Sequence, residues 1–193
     1  MIFEWTPLEK VTANVVEQFD CGEDEFNYFL KNQANEWASK GYAVTYVAVD
    51  EEQSNDGKIQ RIYGFAAINA TGLLGKDSNK NKYLSCAEIR LFAVSKVLRG
   101  EEAVDADGVR YSYKLFQTLM QELYHISTSV IGFCAVTLNS NTTGLKLYKK
   151  FGFMKSEEYL NPEEEEKIDL DGCTPLIFSF MDEKAYDLLF LLN

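Results

Sequence analysis

One histidine, three prolines and four scattered cysteines in 193 residues remove several kinds of chemistry at the outset. Cys21, Cys86, Cys134 and Cys173 form no C-x-x-C pair, and His125 stands alone, so neither a zinc site nor any other metal is expected. Three prolines and twelve glycines rule out a fibrous or low-complexity chain. No apolar run approaches the length of a membrane-spanning helix, and Met1-Ile2-Phe3-Glu4-Trp5 lacks the basic start and apolar core of a signal peptide. The expectation is a cytoplasmic protein whose cysteines are reduced; Cys86 and Cys134, inside apolar strand-like runs, read as small core residues. Positive charge is also scarce: 19 basic residues face 30 acidic ones, for a net charge of −11. A surface of that sign repels nucleic acid and anionic membranes, so neither is an expected partner.

What is present suffices for one core. The chain is 46% hydrophobic, and a fold of this length buries roughly 70% of its unfolded surface, which predicts a single domain over residues 1–193. Phe26, Phe29, Leu30, Ala34, Trp37 and Ala38 share one helical face within 24–40, and Gly41 stops the helix. Strands are predicted over 43–49 and 61–70, joined through an Asn55-Asp56-Gly57 turn, and over 84–94 after a Lys-, Asn- and Gly-rich loop at 72–83. A polar stretch, 95–110, leads to a helix carrying Leu115, Phe116, Leu119, Met120 and Leu123. A buried strand is read at 130–138 and an amphipathic helix at 142–151. A hairpin of 153–159 with 176–181 and a last helix at about 183–192 close the chain. This order implies an α/β (α+β) fold, a mixed central sheet flanked by helices, with ligands favoured at strand carboxyl ends and helix N-termini.

The second strand-to-helix turn carries the sharper pattern. It runs from Asn141 as a helix cap, through Gly144, Lys146, Tyr148, Lys149 and Lys150, to Gly152 as the helix stop and Phe153 returning to the core. Without further context Tyr148 is a half-buried helix residue. Upstream, Ala87-Glu88-Ile89-Arg90-Leu91-Phe92-Ala93-Val94 is an apolar strand interrupted by one carboxylate and one cation.

The spacing N-x-x-G-L-K-L-Y-K-K-F-G-F at 141–153 resembles the late motif of the Gcn5-related N-acetyltransferase superfamily, with Gly144 where alanine is usual. The 87–94 segment is similar to that superfamily's central strand. Phe19-Asp20-Cys21-Gly22 followed by Phe29-Leu30 resembles a branch of toxin-type acetyltransferases. The resemblance spans about residues 15–160. It implies a pair of splayed strands, at 84–94 and 130–138, that accepts acetyl-CoA. Backbone groups of Phe92, Ala93 and Val94 would hold the pantetheine arm and thioester carbonyl, and Asn141 would contact the cofactor. Tyr148 would be the general acid for the departing thiolate and Glu88 the base for the incoming amine, directly or through water. Read from the strand alone, Glu88 is equally a carboxylate paired with a neighbouring cation. A backbone N–H aimed at the developing oxyanion costs no reorganisation.

The first turn departs from the superfamily's Gln/Arg-x-x-Gly-x-Gly/Ala pattern. Arg99-Gly100 keeps only its first glycine, and 101–109 reads as an insertion with four carboxylates before the helix starts at about 110–112. Outward-pointing carboxylates would leave Arg99, Gly100, Arg110, Ser112 and Lys114 for the diphosphate. Asp105-Ala106-Asp107-Gly108 begins like a calcium loop, but the later ligands are absent.

The resemblance thus implies an acetyl-CoA-dependent N-acetyltransferase acting by direct transfer on a primary amine of a small molecule or peptide. Two alternatives stand beside it: a degenerate binding protein without activity, motivated by the broken loop, and a toxin-type enzyme acetylating aminoacyl-tRNA. A homodimer is compatible with all three. The negative charge is also uneven. Residues 157–171, with Glu163-Glu164-Glu165-Glu166 at their centre, carry −7, leaving −4 for the rest, while Lys96, Arg99, Arg110, Lys114, Lys146, Lys149 and Lys150 bracket the two turns.

Overall fold

A computed structural model describes residues 1–52, 59–77, 80–100, 102–156 and 172–191. The expected turn at 55–57, Glu101 and the acidic segment 157–171 lie outside these residues. Seven strands form one mixed sheet: β1 (Phe3–Pro7), β2 (Val44–Asp50), β3 (Gly64–Asp77), β4 (Lys80–Val94), β5 (Ala135–Ser140), β6 (Met154–Lys155) and β7 (Thr174–Ser179). Their order is β1-β2-β3-β4-β5-β7-β6. The helices are α1 (Ala13–Glu17), α2 (Asp24–Tyr28), α3 (Ala34–Ser39), α4 (Tyr111–Ser129), α5 (Leu145–Phe151) and α6 (Ala185–Phe190). None of the described helices is long and apolar enough to cross a membrane. The backbone groups into two compact units, residues 1–69 with 90–122 and residues 70–89 with 123–193.

In the first unit, β1 pairs antiparallel with β2, Phe3 opposite Asp50, and β2 antiparallel with β3, Ala48 opposite Gly64. Strand alternation sends Val47, Val49, Phe65 and Ala67 to one face, where Phe19, Phe29, Leu30 and Ala34 cover them. Phe65 is the centre of this core, with its ring 5.6 Å from Phe19 and 5.7 Å from Phe29. Between α2 and α3 the helix widens into a π turn, Phe29–Gln33, whose extra residue allows consecutive Phe29 and Leu30 both to be buried. Ala38, expected on the buried face, is exposed, because α3 turns it outward after that register change. On the opposite face the first turns of α4 cover the sheet: Phe116 meets Phe92 at 5.2 Å, and the Trp5 indole donates to the Thr118 hydroxyl at 3.0 Å. β3 starts at Gly64, later than expected, and a Cβ there would lie 2.8 Å from the Ala93 carbonyl oxygen.

In the second unit, β4 pairs in parallel with β5 from Cys86↔Ala135 to Ile89↔Leu138, and β5 pairs antiparallel with β7 along its whole length. A parallel neighbour requires a crossover, which α4 supplies. Two expectations are corrected here. The region 72–83 is not a loop: β3 runs to Asp77 and β4 starts at Lys80. Gly72 leaves room there for the Tyr83 ring, which lies where a side chain would be. The buried strand expected from residue 130 begins only at Ala135, and Val130 and Ile131 are 75% and 60% exposed at the turn that ends α4. β6 and β7 form the predicted hairpin, Met154 opposite Ile177. Phe178 ties α5 and the residue just after its cap to the sheet, with ring centroids 5.6 Å from Phe151 and 5.4 Å from Phe153.

Candidate functional site

In the second unit the turn after β5 is built by local bonds. The Asn141 Oδ1 accepts the Gly144 amide at 2.8 Å, and the Asn141 carbonyl accepts the Leu145 amide at 3.2 Å. Asn141 therefore caps the turn that enters α5, four residues before the helix proper. One helical turn later Tyr148 is buried, 8% exposed, rather than half-buried, with its ring 5.9 Å from Phe153. Burial pushes its phenol well above the usual tyrosine range, so the hydroxyl stays protonated through neutral and mildly alkaline pH. Gly144 has a reason to differ from alanine. A Cβ there would sit 2.8 Å from Cε2 of Tyr148, so the missing methyl group is the space the ring occupies. At the other end, Gly152 takes φ 102°, a left-handed cap, and the Phe153 amide donates to the Tyr148 carbonyl at 3.0 Å. Lys149 and Lys150 lie on this last turn, at the end of α5 that favours cations, away from the capped start.

Glu88 stands opposite Thr137 and is half-buried. Alternation places it on the sheet face of Cys86, Ala135 and Ile177, whereas Val136 and Phe178 take the face on which α5 packs. The carboxylate and the phenol thus belong to opposite faces of this part of the sheet. Cys86, two residues before Glu88, is a free thiol pushed up to about 11 by burial and then by Cys134. Cys134 precedes β5 rather than lying in it, and its amide donates to the Ser85 carbonyl at 2.9 Å.

In the first unit Phe92 gives its ring to Trp5 and Phe116, so only its backbone is available for binding, and Ala93 and Val94 are buried beside it. Arg99 lies 3.6 Å from the Glu23 carboxylate, and Gly100 takes the left-handed φ of 103°. The insertion then folds on itself. The Asp105 carboxylate accepts the amides of Asp107 at 2.9 Å and Val109 at 2.8 Å, and Val104 bridges Arg110. That is a closed turn, not a calcium loop. Among the described residues no group of three or more His, Cys, Asp and Glu side chains is gathered as a metal would need.

The insertion also reaches the helix behind it. The Ala103 carbonyl accepts the Tyr111 amide at 3.0 Å, so one of the amides that α4 would offer an anion is already used. Asp105 forms an ion pair with Lys114, and this hydrogen bond, with that of Val109, holds its carboxyl below the usual range. Glu102 and Asp107 are exposed, as expected of the insertion; Asp105 instead turns inward. Arg110 is exposed as the residue whose carbonyl starts α4, and Ser112 is half-buried in the first turn.

No family model matches the sequence. Solved structures do resemble it. AtaT complexed with acetyl-methionyl-tRNAfMet matches with a TM-score of 0.67 at 17% identity over 97% of this chain and 99% of that one. AtaTR bound with AcCoA gives 0.67 at 17% identity over 98% of each chain. A tyrosine-to-phenylalanine mutant of KacT gives 0.64 at 15% identity over 93% and 96%. These likenesses carry the fold: the chain has that of the Gcn5-related N-acetyltransferases, as its two motifs predict.

Proposed function

We propose that the chain is an acetyl-CoA-dependent N-acetyltransferase of the toxin type, whose acceptor is the amino group of an aminoacyl-tRNA. The observation that carries it is the Tyr148 site: a buried, protonated phenol fixed between a capped turn and a left-handed glycine, with a glycine where its ring needs room. The tRNA acceptor draws support from the near full-length likeness to AtaT complexed with acetyl-methionyl-tRNAfMet. A cytosolic setting belongs to the same reading.

In the first unit Arg99, Arg110 and Lys114 would be the cations for the cofactor's diphosphate, Lys114 once it leaves Asp105, and Phe92–Val94 the backbone for its pantetheine arm; in the second unit Asn141 would be a polar contact at the start of α5. When bound, acetyl-CoA supplies an acetyl group activated as a thioester. Glu88 takes the proton of the incoming ammonium on one sheet face, so that a neutral amine attacks. A backbone N–H at Phe92–Val94 would be the donor for the thioester carbonyl oxygen as negative charge develops. Tyr148, on the α5 face, would be the acid that protonates the departing sulfur. A phenol with a raised pKa suits that last role, because the donor is fully protonated at working pH.

A small cationic amine is the second reading, favoured by the net charge of −11. Incubation with radiolabelled acetyl-CoA and either aminoacyl-tRNA or a polyamine separates the two. Label in tRNA that alkali releases as an N-acetyl amino acid supports the first. Label only in the amine supports the second, and protein that neither binds CoA nor transfers label is the non-catalytic alternative.

A further inference from the structure

Asp20, between α1 and α2, is bonded to the chain that leaves β4. Its backbone carbonyl accepts the Lys96 amide at 3.0 Å and the Ser95 hydroxyl at 3.4 Å. Its Oδ2 pairs with the Lys96 ammonium, while Oδ1 accepts the Gly22 amide at 2.7 Å and the Asn27 side-chain amide at 3.1 Å. Asn27 in turn accepts the Cys21 amide at 2.9 Å, and Gly22 reverses the chain at a left-handed φ of 81°. From the other side, the Ser95 amide donates to the Tyr63 carbonyl at 2.8 Å. The short turn Ser95–Arg99 is therefore gripped by two separate stretches of chain. Three residues beyond Lys96 comes Arg99, and its partner Glu23 lies three beyond Asp20, so the two segments are stitched twice.

We propose that Asp20 is a positioning residue for the diphosphate end of acetyl-CoA. It fixes the Ser95–Arg99 turn, and with it Arg99 and Gly100, in a preset place before the cofactor arrives. The proposal rests on the N-acetyltransferase reading above. Its physical basis is preorganisation: a turn that is already ordered spares the ligand the cost of ordering it. The Asp20–Lys96 side chains are 39% and 62% exposed, and an exposed pair adds little to global stability. The effect belongs in cofactor affinity rather than in the melting temperature.

The test uses the full chain in four forms: Asp20→Asn, Asp20→Glu, Lys96→Met and the Asp20→Asn/Lys96→Met double variant. Asparagine keeps an acceptor for Gly22 and loses only the charge that holds Lys96. Calorimetry with CoA, steady-state kinetics and hydrogen exchange at 95–99 are the readouts. Asp20→Asn is expected to raise the CoA Kd and the KM for acetyl-CoA by about tenfold, as for a misplaced binding group. Exchange at 95–99 rises, while kcat and the acceptor KM stay within about twofold. Asp20→Glu recovers part of the loss, and the double variant is no worse than Asp20→Asn. Unchanged CoA affinity in Asp20→Asn, or additive losses in the double variant, overturns the proposal. Wild-type protein that takes up no CoA overturns the enzyme reading and this proposal together, so the two failures are distinguishable.

Discussion

Two strand-to-helix turns lead into α4 and α5, and they are built by opposite means. The turn before α5 is four residues long and is held by its own neighbours: Asn141 on Gly144, Gly144 yielding space to Tyr148, Gly152 closing the helix. The turn before α4 takes over a dozen residues; Asp20 and Tyr63 hold its start, and the helix itself supplies contacts that hold its later part. Asp105 reaches forward to Lys114, and Ala103 to the Tyr111 amide. One turn keeps its chemistry open at the cost of sequence freedom. The other closes over its helix end, using a cation and an amide that a diphosphate would use. An anionic ligand bound there has to displace Asp105 from Lys114 or bind beside the pair.

The largest effect expected on this contrast comes from Tyr148→Phe. The ring and its packing on Phe153 remain, so the fold should survive, while kcat for acetyl transfer falls on the order of a hundredfold or more. Unchanged turnover would remove Tyr148 as the acid. The phenol also fixes a sign in alkali. Its pKa is raised on folding, so its contribution to stability is complete below the free-tyrosine value and is lost as pH rises past it. Wild-type stability should thus fall more steeply above about pH 10 than that of Tyr148→Phe in matched denaturant titrations.

Next in size is Gly144→Ala, which restores the residue usual in the motif. Because a Cβ meets the buried ring at 2.8 Å, the variant should lose about 1–3 kcal/mol in urea unfolding, as overpacked sites do. Activity should fall with it. A variant at wild-type stability would mean that the ring moves freely, which would undercut the claim that Tyr148 is held in place.

The contrast between the turns also explains what was legible. Asn141, Tyr148 and Gly152 act over three to eight residues, so periodicity and capping rules reach them, and the motif around them identified the fold. The core helices and β2 followed from apolar spacing. β1 was missed because Phe3-Glu4-Trp5 is short and becomes a strand only through pairing with Val47–Asp50, more than forty residues away. The alternation of Phe3 and Trp5 was the available signal. The 72–83 region read as a loop because its Lys, Asn and Gly residues have low strand propensity, which ladder pairing overrides. Val130 and Ile131 misled in the other direction, apolar yet exposed. At the site, Asp20 stood out only within the Phe19–Gly22 resemblance and Asp105 only as the start of a calcium-like loop, and neither signal pointed to the contact it makes. Their roles come from Lys96, 76 residues away, and from a turn that must close before Asp105 meets Lys114.

The smallest effect tests the closed turn itself. Asp105→Asn keeps an oxygen for the amides of Asp107 and Val109, so the turn should survive and melting should move little. What it removes is the charge that engages Lys114. If that pair competes with cofactor phosphate, CoA should bind about two- to fivefold more tightly to the variant, the scale of a partly exposed ion pair, and the gain should shrink in high salt. Lys114→Met made on top of it should erase the gain. Weaker CoA binding in Asp105→Asn would have the opposite meaning: the pair would then be the support that presents Lys114 to the phosphate. The two turns would in that case differ in length but not in being ready for their ligand.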